Sequence, residues 1–279
     1  MTIRLKQAAG LVLFAASAVA SSAFAHTTIV KKNTPDEFAM RTDLAGTSSV
    51  LNQISIPHGC NGKPVKAMTI LFPNGADPVV EDNNGDPVDP VDFFAHFETD
   101  NNILMGPQPA QVVTWKKIEV REGPVPHHDN HGPKDTDARA FAYTKGTLPE
   151  HLLGLYPWRQ TYGKIKEGKT CLEKIQLRIP IVNYCTRLRS GDDRVDAWIG
   201  RLTAKFDDPA VVSEGFWPTL DIANPHYDEV ACDEEEGTPY YYKVSPSDED
   251  IDEFLPLKGY WPNNMGGSHF PFPFPFNVN

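Results

Sequence analysis

The sequence predicts an all-β sandwich, and three observations predict it. Apolar and polar residues alternate with period two along several short runs, the pattern of strands with one buried face. Gly, Pro, Asn and Asp bound these runs, and the 25 prolines and 20 glycines fall mostly between them. No amphipathic helix longer than about three turns is legible, and no segment repeats.

The chain begins with two basic residues, Arg4 and Lys6, then an apolar stretch from Leu11 to Ala20, then Ala23-Phe24-Ala25. This reads as a secretory signal peptide over 1–25, cleaved after Ala25. The apolar stretch is shorter than the roughly 20 residues that span a bilayer. No other stretch is long and apolar enough, and no cysteine stands near the cleavage site to take a lipid. The mature product is therefore expected to be periplasmic or secreted, without a membrane span.

Residues 26–205 carry the predicted sandwich. Its strand-like runs are Ser49–Ile56, Val65–Phe72, Gln111–Val120, Ile175–Val182 and Val195–Leu202. Glu150–Leu155 reads as one short helical turn. Gly123–Asp137, polar and rich in His and Pro, reads as a long exposed loop. Asn83-Asn84-Gly85-Asp86 reads as a turn, and no acidic cluster has the residue order of an EF-hand. From about Asp207 the strand pattern fades. Acidic clusters follow at Asp233–Glu236 and Asp248–Asp250, and Phe270–Phe276 alternates Phe with Pro, favouring extended polyproline geometry. Residues 206–279 are thus expected to form an acidic, Pro- and aromatic-rich, mostly irregular C-terminal extension. It would wrap the core or hang partly free, its first half tied down through Cys232.

The formal charge of −11 argues against nucleic acid and anionic membranes as partners and is compatible with cations. Gly-x-Ser-x-Gly, His-Glu-x-x-His, the Walker loop and Gly-x-Gly-x-x-Gly are all absent, so a non-enzymatic role is expected. All four cysteines, Cys60, Cys171, Cys185 and Cys232, lie in the exported part, where disulfides are the default. Three connectivities are open. No pair has Cys-x-x-Cys spacing, which argues against a cysteine-rich zinc site.

The residue types that carry chemistry are histidines. Cleavage after Ala25 makes His26 the first residue, with its α-amine and imidazole on one residue. Amine and Nδ1 can close a chelate ring on a metal, a donor pair that suits Cu(II). A second candidate is His127-His128-Asp129-Asn130-His131, where three imidazoles and a carboxylate stand within five residues. Such a loop also takes zinc or nickel, which rank behind copper for this chain. His58 is read mainly as part of a turn that positions Cys60.

Four segments together resemble the YcnI-like family of exported copper-binding proteins. They are Ala25-His26-Thr27-Thr28-Ile29, Ile56-Pro57-His58-Gly59-Cys60-Asn61-Gly62-Lys63-Pro64, Arg178–Cys185 (Arg-Ile-Pro-Ile-Val-Asn-Tyr-Cys) and Asp192–Gly200, ending Trp198-Ile199-Gly200. The resemblance covers roughly residues 26–202. It implies a cupredoxin-like or immunoglobulin-like sandwich and a Cys60–Cys185 disulfide, which leaves Cys171 for Cys232. It also implies Cu(II) held by the amine and ring of His26, a carboxylate that completes the ligands, and Trp198 nearby, not necessarily as a ligand. The family's acidic position corresponds here to Gln160-Thr161, so the chain lacks that acid. Glu150, Glu167 and Glu173 are close in sequence but do not match the motif.

The expected function is copper acquisition, buffering or delivery by ligand exchange, with the copper ion and a cuproprotein or copper importer as partners. One alternative is a copper-dependent oxygenase of the polysaccharide monooxygenase type. It would need a second histidine, for which His58, His96 and His151 are available. The other is a metal-free structural sandwich, in which Trp198 is plain core.

Overall fold

The computed structural model describes residues 27–31, 50–57, 60, 63–75, 77–95, 103–112, 115–124, 136–185, 195–234 and 237–260. Among them run the strands β1 (Thr28–Lys31), β2 (Val50–Ile56), β3 (Ala67–Leu71), β4 (Val79–Glu81), β5 (Leu104–Pro109), β6 (Trp115–Pro124) and β7 (Thr136–Gly146). They continue with β8 (Gly154–Tyr162), β9 (Leu172–Arg178), β10 (Ile181–Tyr184), β11 (Val195–Gly200), β12 (Val212–Glu214), β13 (Thr219–Ala223) and β14 (Tyr240–Ser245). Two short helices, α1 (Glu229–Glu234) and α2 (Asp248–Phe254), complete the set. The protein is the expected all-β sandwich.

Three sheets build it, with strand orders β1-β2-β8-β5, β12-β11-β10-β3-β7-β6 and β13-β9-β14-β4. Alternation along each strand sorts the side chains. Met68, Ile70, Phe141, Tyr143, Ile181 and Trp198 of the six-stranded sheet face a core shared with the other two sheets. Ala67, Ala140, Ala142, Val182, Tyr184 and Ala197 face the opposite way, under Ile251, Phe254 and Leu255. The middle of the six-stranded sheet is therefore buried on both faces, which is why β3 and β10 are mostly apolar.

The second face is closed by the C-terminal segment. Ser247 caps α2 by accepting from the Asp250 amide at 3.2 Å. The acidic cluster Asp248–Asp250 is the first turn of that helix, where carboxylates offset the exposed amides. The Thr69 and Tyr184 hydroxyls donate to the Leu255 carbonyl at 2.9 and 2.7 Å. Arg121 donates to the Phe254 carbonyl and, at 3.1 Å, to that of Pro256. Arg139, buried, pairs with Asp250 and lies over the Phe254 ring.

Several expectations change here. The segment after residue 205 supplies β12, β13 and β14, and β14 is hydrogen-bonded between β9 and β4 rather than lying outside the sheets. Tyr240-Tyr241-Tyr242 is β-prone, but its partners lie far away in sequence, so the pairing is invisible locally. The Ile175–Val182 run divides at the buried Pro180, which cannot donate to a ladder. Its halves, β9 and β10, enter different sheets. The helical turn expected at Glu150–Leu155 is a backbone turn, Leu152 N to Pro149 O at 3.1 Å, that leads straight into β8. The turn expected at residues 83–86 is present, and Asp82 accepts from the Asn84 and Asp86 amides at 2.8 and 2.9 Å.

Candidate metal centre

His26, His58, His96, His127, His128 and His131 lie outside the described residues, as do residues 1–25, where the leader is expected. The described chain begins one residue later, at Thr27. Thr27 is 1% exposed, and its hydroxyl accepts from Asn183 Nδ2 at 3.1 Å. A small polar residue at the start of an edge strand is thus tied to a strand 156 positions away.

Asn183 holds its place because β10 runs between β3 and β11, with the Cys60–Cys185 bridge two residues on. Alternation sends Ile181, Asn183 and Cys185 to the inner face. Asn183 is fully buried, and its Oδ1 accepts no hydrogen bond from the described residues. A buried carbonyl left unmatched costs about 1–3 kcal/mol.

Directly across the ladder from Asn183 stands Asp196, on the same face and partly exposed. Trp198 is opposite Ile181, which makes it the diagonal neighbour of Asn183, roughly 7–8 Å away by ladder geometry. The Trp198 ring is 8% exposed and meets Phe216 edge-on at 5.4 Å. The fold therefore brings Thr27 to Asn183, with Asp196 and Trp198 on the neighbouring strand.

Gln160 is elsewhere. Thr28 pairs with Ser55, Ser55 with Leu155, and Val50 with Gln160. Gln160 thus lies five residues further along β8 than the level at which β1 starts, roughly 16 Å at the rise of a strand. Its side chain is 1% exposed, accepts from Trp158 Nε1 and donates to the Tyr162 hydroxyl, which also accepts from Asn52 at 3.0 Å. Burial pushes the Tyr162 hydroxyl pKa well above its ordinary value despite these bonds. Position 160 is a knot in the core, satisfied on both amide atoms.

Both disulfides are formed, Cys60–Cys185 and Cys171–Cys232, so no thiolate is left among the described residues to bind a metal. Among the same residues no three His, Cys, Asp or Glu side chains converge. His151 and Glu150 are exposed in the turn before β8, Glu167 is exposed in the segment before β9, and Glu173 is exposed on β9. A carboxylate, Asp196, and an amide oxygen unmatched among the described residues, Asn183 Oδ1, thus stand opposite each other on neighbouring strands.

Sequence reasoning singled out neither Asn183 nor Asp196. The available signal was a polar residue at an inward position of the apolar run Ile181-Val182-Asn183-Tyr184, two residues before a cysteine.

No protein-family model matches the chain, and no curated protein matches it. Among solved structures, the chain is similar to an uncharacterised protein from Nocardia farcinica described as having an immunoglobulin-like fold. That match has a TM-score of 0.35 and 15% identity, and covers 71% of this chain and 99% of the other.

Proposed function

We propose that this is an exported copper-binding protein that holds Cu(II) through the α-amine and imidazole of His26, for acquisition, buffering or delivery of the ion. One observation carries the reading. Thr27, which follows the expected cleavage site by one residue, is buried and hydrogen-bonded to Asn183, beside a carboxylate and a tryptophan. A chelate needs its donors held in place, and an N-terminal residue is otherwise the least ordered part of a chain. Anchoring residue 27 limits the freedom of residue 26, which lowers the ordering cost of binding. When bound, copper supplies a site for ligand exchange or electron transfer. The chain's part is to present two nitrogens, exclude competing thiols through its disulfides, and shield one side with Trp198.

The test is a Cu(II) titration of mature protein that begins at His26, alongside a form with one extra N-terminal residue, followed by electron paramagnetic resonance. One-to-one binding lost on extension is the expected result. Equal binding by both forms refutes the chelate and moves attention to the His127–His131 loop.

A further inference from the structure

We propose that the outer edge of β6 pairs with the same edge of a second copy of this chain, joining two six-stranded sheets into one across a twofold axis. This pairing does not depend on the copper reading.

The three sheets have six edges, and five of them are closed to pairing in the usual ways. An edge strand offers free N–H and C=O groups to any other strand, and shortness or proline blunts that offer. β1, β4, β12 and β13 are three to five residues long. β5 contains Pro107 and Pro109, which cannot donate to a ladder. β6 is ten residues long, and its one proline is its last residue, Pro124. Among the described residues no strand pairs with its outer edge. Val120 stands there 45% exposed.

The strand also sets the register. β6 pairs regularly with β7 from Trp115 to Arg121, then bulges, which turns its end away. The regular stretch is centred on Ile118. Antiparallel pairing of two copies about Ile118 sets Lys117 opposite the partner's Glu119, and Glu119 opposite the partner's Lys117. It also sets Lys116 opposite the partner's Val120, where the alkyl stem of the lysine covers the exposed side chain. Within one chain Lys117 and Glu119 already pair at 2.9 Å. The dimer therefore carries four charges of alternating sign on one face.

Unlike charges directly across a ladder stabilise it, and like charges oppose it. Neighbouring registers fail on that ground. A slip of one residue sends the facing side chains to opposite faces of the sheet. Ile118 opposite the partner's Lys116 brings Lys117 against the partner's Lys117. Ile118 opposite the partner's Val120 brings Glu119 against the partner's Glu119. Strand geometry and charge thus select the same register.

The test is sedimentation velocity of the full chain across the micromolar range. A ladder from Trp115 to Arg121 is a small interface, so a reversible dimer is expected, with dissociation in that range. Lys117→Glu and Glu119→Lys each place like charges at both symmetry-related pairs, and each is expected to weaken the dimer about tenfold or more. An equimolar mixture of the two variants restores unlike charges across the axis, as does the double variant Lys117→Glu/Glu119→Lys. Both are expected to recover the dimer, which a merely structural effect of either substitution would not do. The proposal is overturned if the unmodified chain stays monomeric throughout the range, if the single reversals leave association unchanged, or if the mixture fails to recover it.

Discussion

Gly200→Ala perturbs the strand that carries Asp196 and Trp198, and its cost can be worked from three contacts. Gly200 ends β11 with φ of +68°, a conformation that costs an L-residue about 1–2 kcal/mol. A Cβ there would overlap the Trp217 ring, so the ring must move. That ring lies under Arg178 at 5.3 Å and Arg201 at 5.5 Å, two cation–π contacts worth about 0.5–1 kcal/mol each at this partial exposure. Displacing it also disturbs the adjoining Phe216 on Trp198, an edge-on pair worth about 0.5–1.5 kcal/mol. The expected loss is about 3–5 kcal/mol, or roughly 10 °C in melting temperature for a chain of this size. Gly85→Ala is the internal control. Gly85 has φ of +90° and open space around the position a Cβ would take, so it isolates the backbone cost of about 1–2 kcal/mol. Thermal unfolding followed by circular dichroism measures both. Equal shifts in the two variants would refute the clamp on Trp217.

Three further outcomes follow from the core. Replacing Cys60 and Cys185 by Ser opens a closure of 125 residues, and replacing Cys171 and Cys232 one of 61, so chain entropy gives losses of about 5 and 4 kcal/mol; urea midpoints check the order, and a larger loss at the second bridge contradicts it. Gln160→Glu introduces an acid at a position 1% exposed and removes the donor to Tyr162, at a cost of about 3 kcal/mol or more near neutral pH. Burial raises that carboxyl's folded pKa, so the variant is expected to be closer to the parent at pH 4 and to lose stability as pH rises through the folded pKa; a pH-independent loss would contradict this. Burial also raises the hydroxyl pKa of Tyr143, Tyr162 and Tyr184, and pushes that of Tyr156 up to about 12. The fold retains these protons above pH 10 while the unfolded chain releases them, so stability falls as pH rises beyond 10, by roughly 5 kcal/mol per pH unit for four groups. Tyrosinate absorbance should therefore appear together with unfolding, and smooth titration of these rings in the intact fold would argue against their burial.

Much of the sandwich was legible because period-two alternation records locally which face is buried. β2 and β11 were found on that signal, and β3 and β6 within a few residues. β7 and β8 were not, since Ala-Arg-Ala-Phe-Ala-Tyr and Tyr-Pro-Trp-Arg-Gln-Thr-Tyr mix small, charged and aromatic residues that a local pattern does not sort. Arg139 in the first is charged yet buried, matched by Asp250 over a hundred positions on. Gln160 in the second is polar yet buried, matched by neighbours on its own strand. In both cases the partner settles the placement.

By itself the sequence determined the β class, the apolar strands at the centre, and a histidine next to a cleavage signature. Each of these depends on residues within a few positions of one another. The tertiary structure alone decided that β9 and β10 part at Pro180 into two sheets, and that β14 lies inside a sheet. It also decided that Thr27 meets Asn183 opposite Asp196. These are pairings across tens to more than a hundred residues. Their energy comes from one shared core and from hydrogen bonds that exist only once that core has closed, so no local window of the chain contains them.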